Sequence, residues 1–129
     1  RWSIYAREME LGNAWPFFVF VQDGKTLAGA VTLSNVRRGV AETGTLGYWI
    51  GQPFSGQGVA TAGVRAVVGY AFDKLKLHRL EAACLPTNHG SRRVLEKSGF
   101  RYEGRAGAYL NIYGEWADHL LFGLVEDER

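Results

Sequence analysis

Tyr48-Trp49-Ile50-Gly51-Gln52-Pro53-Phe54-Ser55-Gly56-Gln57-Gly58-Val59-Ala60-Thr61 is the stretch whose reading decides the fold. The apolar, aromatic run over residues 46–50 reads as a buried strand. Gly51, Gln52 and Pro53 break it, and a short loop delivers Gly56-Gln57-Gly58 to the start of a long apolar-periodic helix. A strand, a glycine-rich turn and a helix N-terminus together make an anion site. The first N–H groups of a helix lack intrahelical acceptors, and the macrodipole adds partial positive charge. Gly56 and Gly58 have no Cβ, so the backbone can approach a phosphate closely. The expected cradle for a diphosphate uses the N–H groups of Gln57, Gly58, Val59, Ala60 and Thr61. The same glycines fit a plain strand-to-helix connection equally well.

Two nucleotide-binding loops do not fit. A Walker A loop needs Gly-Lys-Ser/Thr at the helix start, and here Gly58 is followed by Val59. A dinucleotide fingerprint wants a third Gly or Ala where Thr61 stands, and an acidic residue at the end of the next strand. That strand ends at Leu85-Pro86, and Glu81 lies near its start.

A second block follows that strand: Asn88-His89-Gly90-Ser91-Arg92-Arg93-Val94-Leu95-Glu96-Lys97-Ser98-Gly99-Phe100. Taken with the Ser55-x-x-Gly58-x-Ala60 turn, it resembles the GNAT superfamily of acetyl-CoA-dependent N-acetyltransferases. That family carries Gln/Arg-x-x-Gly-x-Gly/Ala at the pyrophosphate turn, then a strand, then Asn-x-x-Ala/Ser on a helix ending in Gly-Phe. Ser55 replaces the usual Gln or Arg. Further on, Tyr109-Leu110 and Gly114-Glu115-Trp116-Ala117-Asp118-His119 resemble the RimJ/RimL branch, which acetylates the N-terminal amines of ribosomal proteins.

The resemblance implies an α/β (α+β) fold: a mixed, mostly antiparallel sheet flanked by helices, as one domain over residues 1–129. The chain begins at Arg1 and its only methionine is Met9. The expectation is therefore an N-terminally truncated domain lacking an initial strand and helix. The resemblance also implies that the strand beside residues 45–50 diverges, so that the main chain of Tyr48, Trp49 and Ile50 pairs with the pantetheine amides of acetyl-CoA. Their side chains are expected in the core. Asn88 would contact pantetheine while also serving as an N-cap. Many relatives use a helix tyrosine as the acid for the leaving thiolate, and Leu95 stands there. The RimJ/RimL pattern uses the serine of Asn-x-x-Ser instead, which is Ser91; a first-turn serine that only supports the cap is the alternative. For the base, Ala108 replaces a glutamate of some relatives. Glu42, Glu115, Asp118 or a water relay remain, and Glu42 and Asp118 are carried as candidates. The oxyanion donor is expected among the main-chain N–H groups of residues 48–50.

Composition is consistent with that frame. With 129 residues, 47% hydrophobic and 22% charged, the chain is the size of a single domain of ordinary globular balance. A net charge of +2 is too mild to argue nucleic-acid binding. One cysteine excludes an internal disulfide and fits a reducing compartment. No apolar run approaches the ~20 residues that span a bilayer, and no secretory pattern is present, so a cytoplasmic protein is expected. His89 and His119 lack clustered partners, so no metal is expected. The expected partners are an acceptor amine, as on a ribosomal protein N-terminus, and, as an option, a second copy in a homodimer. Neither nucleic acid nor a membrane is expected. A small-amine acceptor, or a silent coenzyme-A-binding domain, are the competing functions.

The remaining elements follow from periodicity. Residues 2–11 read as a loosely amphipathic helix. Residues 17–21 are apolar on both faces and read as a central strand. Asp23-Gly24 signals a hairpin into a strand over residues 26–36, thinned or bulged at Gly29. Arg37-Arg38-Gly39 reads as a solvated turn. A helix over residues 58–76 places Ala60, Val64, Val67, Val68, Ala71, Phe72 and Leu75 on one apolar stripe, and Gly63 and Gly69 suggest close packing on the sheet. Residues 79–85 form a strand with Cys84 in the core, and His78 lies at the surface. Gly99 closes the second helix. Residues 100–103 begin a strand, 105–113 form a loop, and 115–125 form a final strand with Trp116, Asp118, Leu120, Phe122 and Leu124 on one face.

Overall fold

The computed structural model describes residues 14–21, 24–56 and 58–129. Six strands are β1 (Trp15–Val21), β2 (Thr26–Arg37), β3 (Thr43–Ile50), β4 (Arg79–Cys84), β5 (Arg101–Ile112) and β6 (Glu115–Val125). Two helices join them, α1 (Val59–Asp73) and α2 (His89–Lys97). The strands form one sheet in the order β1-β2-β3-β4-β6-β5. Every pair is antiparallel except β3 with β4, which are parallel and connected through α1. A parallel pair needs such a crossover, and the long amphipathic run over residues 59–73 supplies it. Among the described residues, no helix is long and apolar enough to cross a membrane.

Both helices cover one sheet face. Val64, Val67, Val68, Ala71 and Phe72 of α1 and Leu95 of α2 pack on Val31, Leu33, Leu46, Leu80, Leu120, Phe122 and Leu124. Gly63 is the point of closest approach: a Cβ there would lie 3.0 Å from Val19 Cγ2 and 3.3 Å from Val31 Cγ2. A Cβ at Gly69 would meet no described residue within 4 Å, so among the described residues only one of the two expected contacts forms. Gly29 lies against Ile50 and the Trp49 carbonyl, and the β1–β2 register slips beside it, between Val19 and Phe20. The hairpin before β2 forms, with Gly24 at φ 81.

Helix α2 is stopped at both ends by its sequence. Asn88 Oδ1 accepts the Ser91 N–H at 3.0 Å. At the other end Gly99 takes φ 97, Gly99 N–H donates to Glu96 O and Phe100 N–H to Leu95 O. These paired bonds are the Schellman closure that glycine permits. Cys84 is buried and His78 exposed, as their positions imply.

Three expectations are corrected. First, residues 17–21 do not form a central strand: β1 is the outer strand of the described sheet and Phe20 is 53% exposed. Its apolar residues report cover by α1, where Phe17 meets Tyr70 edge-on, and not strand neighbours on both sides. Second, residues 105–113 are not a loop. They belong to β5, which runs unbroken to Ile112 with register slips at Tyr102/Gly104 and Ala106/Leu110. Ala108 sits within the second slip at φ 47, so the glycines there mark bulges. Third, only Leu120, Phe122 and Leu124 of the expected β6 face are buried; Trp116 is exposed. The expected helix over residues 2–11 lies outside the described residues.

Candidate active site

Strands β3 and β4 pair only over Thr43–Thr45 and Arg79–Glu81. Beyond Thr45 the two strands part, although β3 continues to Ile50. The Gly51 N–H donates to Ala28 O of β2 at 2.7 Å. Main-chain polar groups alternate sides along a strand. Trp49 therefore also faces β2, opposite Ala30, while Tyr48 and Ile50 turn their N–H and C=O groups into the gap. Of the three residues, Trp49 is paired within the sheet, and only Tyr48 and Ile50 present main-chain groups to the gap.

The gap opens into a cavity of about 540 Å³. One wall is Tyr48, Trp49 and Ile50; a second is the turn and first helical residues Gly56, Gly58, Ala60 and Thr61; a third is α2, through Asn88, Ser91, Arg93 and Lys97. Gly56 and Gly58 both take left-handed φ, 76 and 77. Gly58 is the N-cap of α1, has no side-chain cap, and its carbonyl accepts the first intrahelical bond, from Ala62 N–H at 3.0 Å. The N–H groups of Val59, Ala60 and Thr61 therefore lie before the first intrahelical donor. No acidic residue stands in that turn. Among the described residues, neither Arg93 nor Lys97 enters an ion pair. Orphan donors, glycine backbone and two cations suit a polyphosphate end. Gln57 lies outside the described residues.

In the same cavity, the Tyr48 hydroxyl donates to Ser91 Oγ at 3.0 Å. Burial pushes the Tyr48 hydroxyl above its ordinary value, and the Ser91 bond pulls back against it. The Cys84 thiol lies on the same serine, and burial pushes it up too. A raised thiol is a poor nucleophile, so Cys84 is packing. The side chains of Tyr48, Trp49 and Ile50 were expected in the core; Tyr48 packs against it with its hydroxyl reaching Ser91, whereas Trp49 is 43% exposed. Arg93 and Lys97 were also missed; their four-residue spacing on a helix that begins with Asn88 was the available signal.

The two candidate carboxylates are not brought to the cavity. Glu42 precedes β3, at the end opposite Tyr48, roughly 20 Å away along the strand rise. Its carboxylate accepts Gly39 N–H at 3.0 Å and pairs with Arg38 at 3.1 Å, and its carbonyl accepts His78 N–H. Glu42 is a corner tie. Asp118 Oδ1 accepts Ala108 N–H at 2.9 Å and Oδ2 pairs with Arg105 at 3.0 Å. Those two partners, the backbone bond first, hold its carboxyl below the usual range. Asp118 pins the β5 bulge and is not poised to take a proton near neutrality. Among the described residues, no group of His, Cys, Asp and Glu could hold a metal ion.

The profile of the acetyltransferase (GNAT) domain matches residues 1–101. The chain belongs to the GNAT acetyltransferase family. It is 40% identical over 127 residues to the probable N-acetyltransferase YjcK of Bacillus subtilis, covering 97% of this chain and 70% of that protein. It is 38% identical over 114 residues to the [ribosomal protein uS5]-alanine N-acetyltransferase of Escherichia coli, covering 88% of this chain and 59% of that enzyme. The chain thus spans little more than half the length of that relative. Among solved structures, RimJ of Mycobacterium smegmatis in complex with CoA-disulfide superposes with a TM-score of 0.92 at 37% identity, over 98% of this chain and 59% of that one. The expected mixed, mostly antiparallel GNAT sheet and the RimJ/RimL-like resemblance are therefore both borne out. A spermidine N-acetyltransferase of Vibrio cholerae, at 21% identity and a TM-score of 0.85, shares the fold.

Proposed function

We propose that this chain binds acetyl-CoA in the β3–β4 gap and transfers its acetyl group to the α-amine of a protein N-terminus. The observation that carries this reading is the parting of β3 from β4 after Thr45, which frees the main chain of Tyr48 and Ile50 between the α1 N-terminus and Ser91. The α1 N–H groups, with Gly56 and Gly58, hold the diphosphate. Tyr48 and Ile50 pair with the pantetheine amides as an added strand would. Asn88 turns its amide nitrogen to the same chain, since its oxygen is committed to the cap. When bound, acetyl-CoA supplies an acetyl group activated as a thioester.

Ser91 then donates a hydrogen bond to the sulfur as the thiolate leaves. A gap-facing N–H of Tyr48 or Ile50 stabilises the carbonyl oxygen as it gains charge. Holding amine and thioester together supplies much of the acceleration. With Asp118 and Glu42 committed elsewhere and Glu115 not among the residues that line the cavity, the amine gives its proton to water. The α-amine reading is supported by the 38% identity to an enzyme whose name specifies a ribosomal-protein alanine. Similarity to spermidine acetyltransferases is too low to carry a substrate.

The test is a competition among an Ala-initiated peptide with the uS5 N-terminal sequence, the same peptide with a blocked N-terminus, and spermidine, each with acetyl-CoA. Acetylation confined to the unblocked peptide supports the reading. Acetylation of spermidine alone replaces the acceptor with a small amine. Coenzyme binding without turnover on any of the three makes the domain a silent binder.

A further inference from the structure

We propose that the Tyr48 hydroxyl is a positioning residue for the coenzyme sulfur, holding Ser91 so that the serine's own proton is directed at the leaving thiolate. This inference rests on the reading above that Ser91 faces that sulfur. Ser91 is fixed at two points. Its main-chain N–H is held by Asn88 Oδ1 at 3.0 Å, and its Oγ accepts from the Tyr48 hydroxyl at 3.0 Å. Both side chains are half-buried and both residues line the cavity.

A serine hydroxyl carries one donor and two acceptor sites. Accepting from Tyr48 fills one acceptor site and leaves the proton to be given away. The described competitor for that proton is the Cys84 thiol, a weak neutral acceptor. A thiolate in the cavity is a charged acceptor and attracts the proton more strongly. A donor already bonded to Oγ polarises the O–H further, so the chain tyrosine–serine–sulfur strengthens as charge develops. Tyr48 keeps its own proton through this: burial holds its hydroxyl above the ordinary value of 10, so it remains a donor at pH 9. Among the described residues, the other charges near this cluster are Arg92 and Glu96 of α2, which pair with each other at 3.4 Å and act on Cys84 with opposite signs, and Arg93 and Lys97, which line the same cavity.

A purely structural role is the competing account, because a half-buried tyrosine hydroxyl needs a partner in any case. The two accounts differ in a readout specific to the sulfur. Dissociation constants for CoA and desulfo-CoA are measured by calorimetry at pH 7 and pH 9 on the wild type, Tyr48→Phe, Ser91→Ala and the double variant. The desulfo-CoA to CoA ratio reports stabilisation of the bound thiolate and cancels any loss of folded protein. In the wild type that ratio is expected to rise about tenfold from pH 7 to pH 9, the scale of one charge-assisted bond. Tyr48→Phe is expected to cut the rise to about threefold, and Ser91→Ala to abolish it with no further effect of Tyr48→Phe. A Tyr48→Phe protein with the wild-type rise overturns the role of Tyr48 and leaves Ser91 standing. A Ser91→Ala protein with the wild-type rise, or a wild type with none, overturns the reading of Ser91 and this inference with it. Equal weakening of both ligands by Tyr48→Phe makes the bond structural.

Discussion

Thr45 and Glu81 are the last partners between β3 and β4. Three residues beyond Thr45, Tyr48 no longer has a strand on that side, and its hydroxyl meets Ser91 of α2 instead. The site is therefore a property of sheet geometry. A parallel pair that stops early leaves main-chain donors and acceptors unmatched, and a ligand that presents amides can match them.

The glycine turn should be sensitive for two separable reasons. Gly58 and Gly39 share φ 77, and a Cβ at either meets no described residue within 4 Å. Alanine at each should cost about 1–2 kcal/mol of backbone strain. Only Gly58 lines the cavity. Gly58→Ala and Gly39→Ala should therefore lower the melting temperature alike, while only Gly58→Ala weakens acetyl-CoA binding, by roughly tenfold. Calorimetry beside thermal melts checks both.

Asn88 carries two roles that a pair of substitutions can divide. Its oxygen caps α2, so Asn88→Ala should cost about 1 kcal/mol of stability. Asn88→Asp keeps a capping oxygen and should melt close to the wild type. It replaces the amide donor by an acceptor, so it should still bind acetyl-CoA several-fold more weakly. Recovery of coenzyme affinity in Asn88→Asp would confine Asn88 to the cap.

Arg93 and Lys97 flank the same cavity and are exposed. Exposed charges attract through water and are screened over about 10 Å at 0.1 M salt. Reversal of both, Arg93→Glu with Lys97→Glu, should weaken acetyl-CoA by about tenfold at low salt and by much less at 0.5 M. The melting temperature should hardly change, because neither residue enters an ion pair among the described residues. An affinity loss that is independent of salt would argue against a direct pull on the phosphates.

Acid stability should depend on Glu103. Arg79, hydrogen-bonded to it, holds the Glu103 carboxyl below its ordinary 4.5, and Gly123 leaves room for the pair. A depressed folded value means that the stabilisation is complete above about 4.5 and is lost as pH falls through the folded value. Asp118, also lowered, acts in the same direction. Melting temperature should be flat from pH 7 to 5 and fall below that. Glu103→Gln should melt lower at pH 7 and converge with the wild type in acid. The pair is partly exposed, so its effect at neutral pH should be small and should shrink with salt.

Much of this site is written in residues whose backbone demands are unusual. Gly56, Gly58 and Gly99 occupy left-handed positions that the glycine pattern announces, and Asn88 caps where a cap is needed. Other parts are silent for physical reasons. Residues 46–50 are apolar on both faces, so alternation has no contrast there and does not reveal which way Tyr48 points. Gly104, Gly107 and Ala108 read as a loop because a bulged strand uses the same residues as a turn. The Arg105–Asp118 pair and the Ala108 N–H bond that make those residues a strand join distant positions. Glu42 was excludable in principle, because the strand that follows it is long enough to carry it away from Tyr48.

The most direct measurement is a calorimetric titration of this chain with acetyl-CoA, with Gly58→Ala alongside. A site built from the β3–β4 gap and the α1 N-terminus should give saturable micromolar binding to a single site, weakened in the variant. Absence of binding, or binding indifferent to Gly58, would contradict the coenzyme site at its foundation.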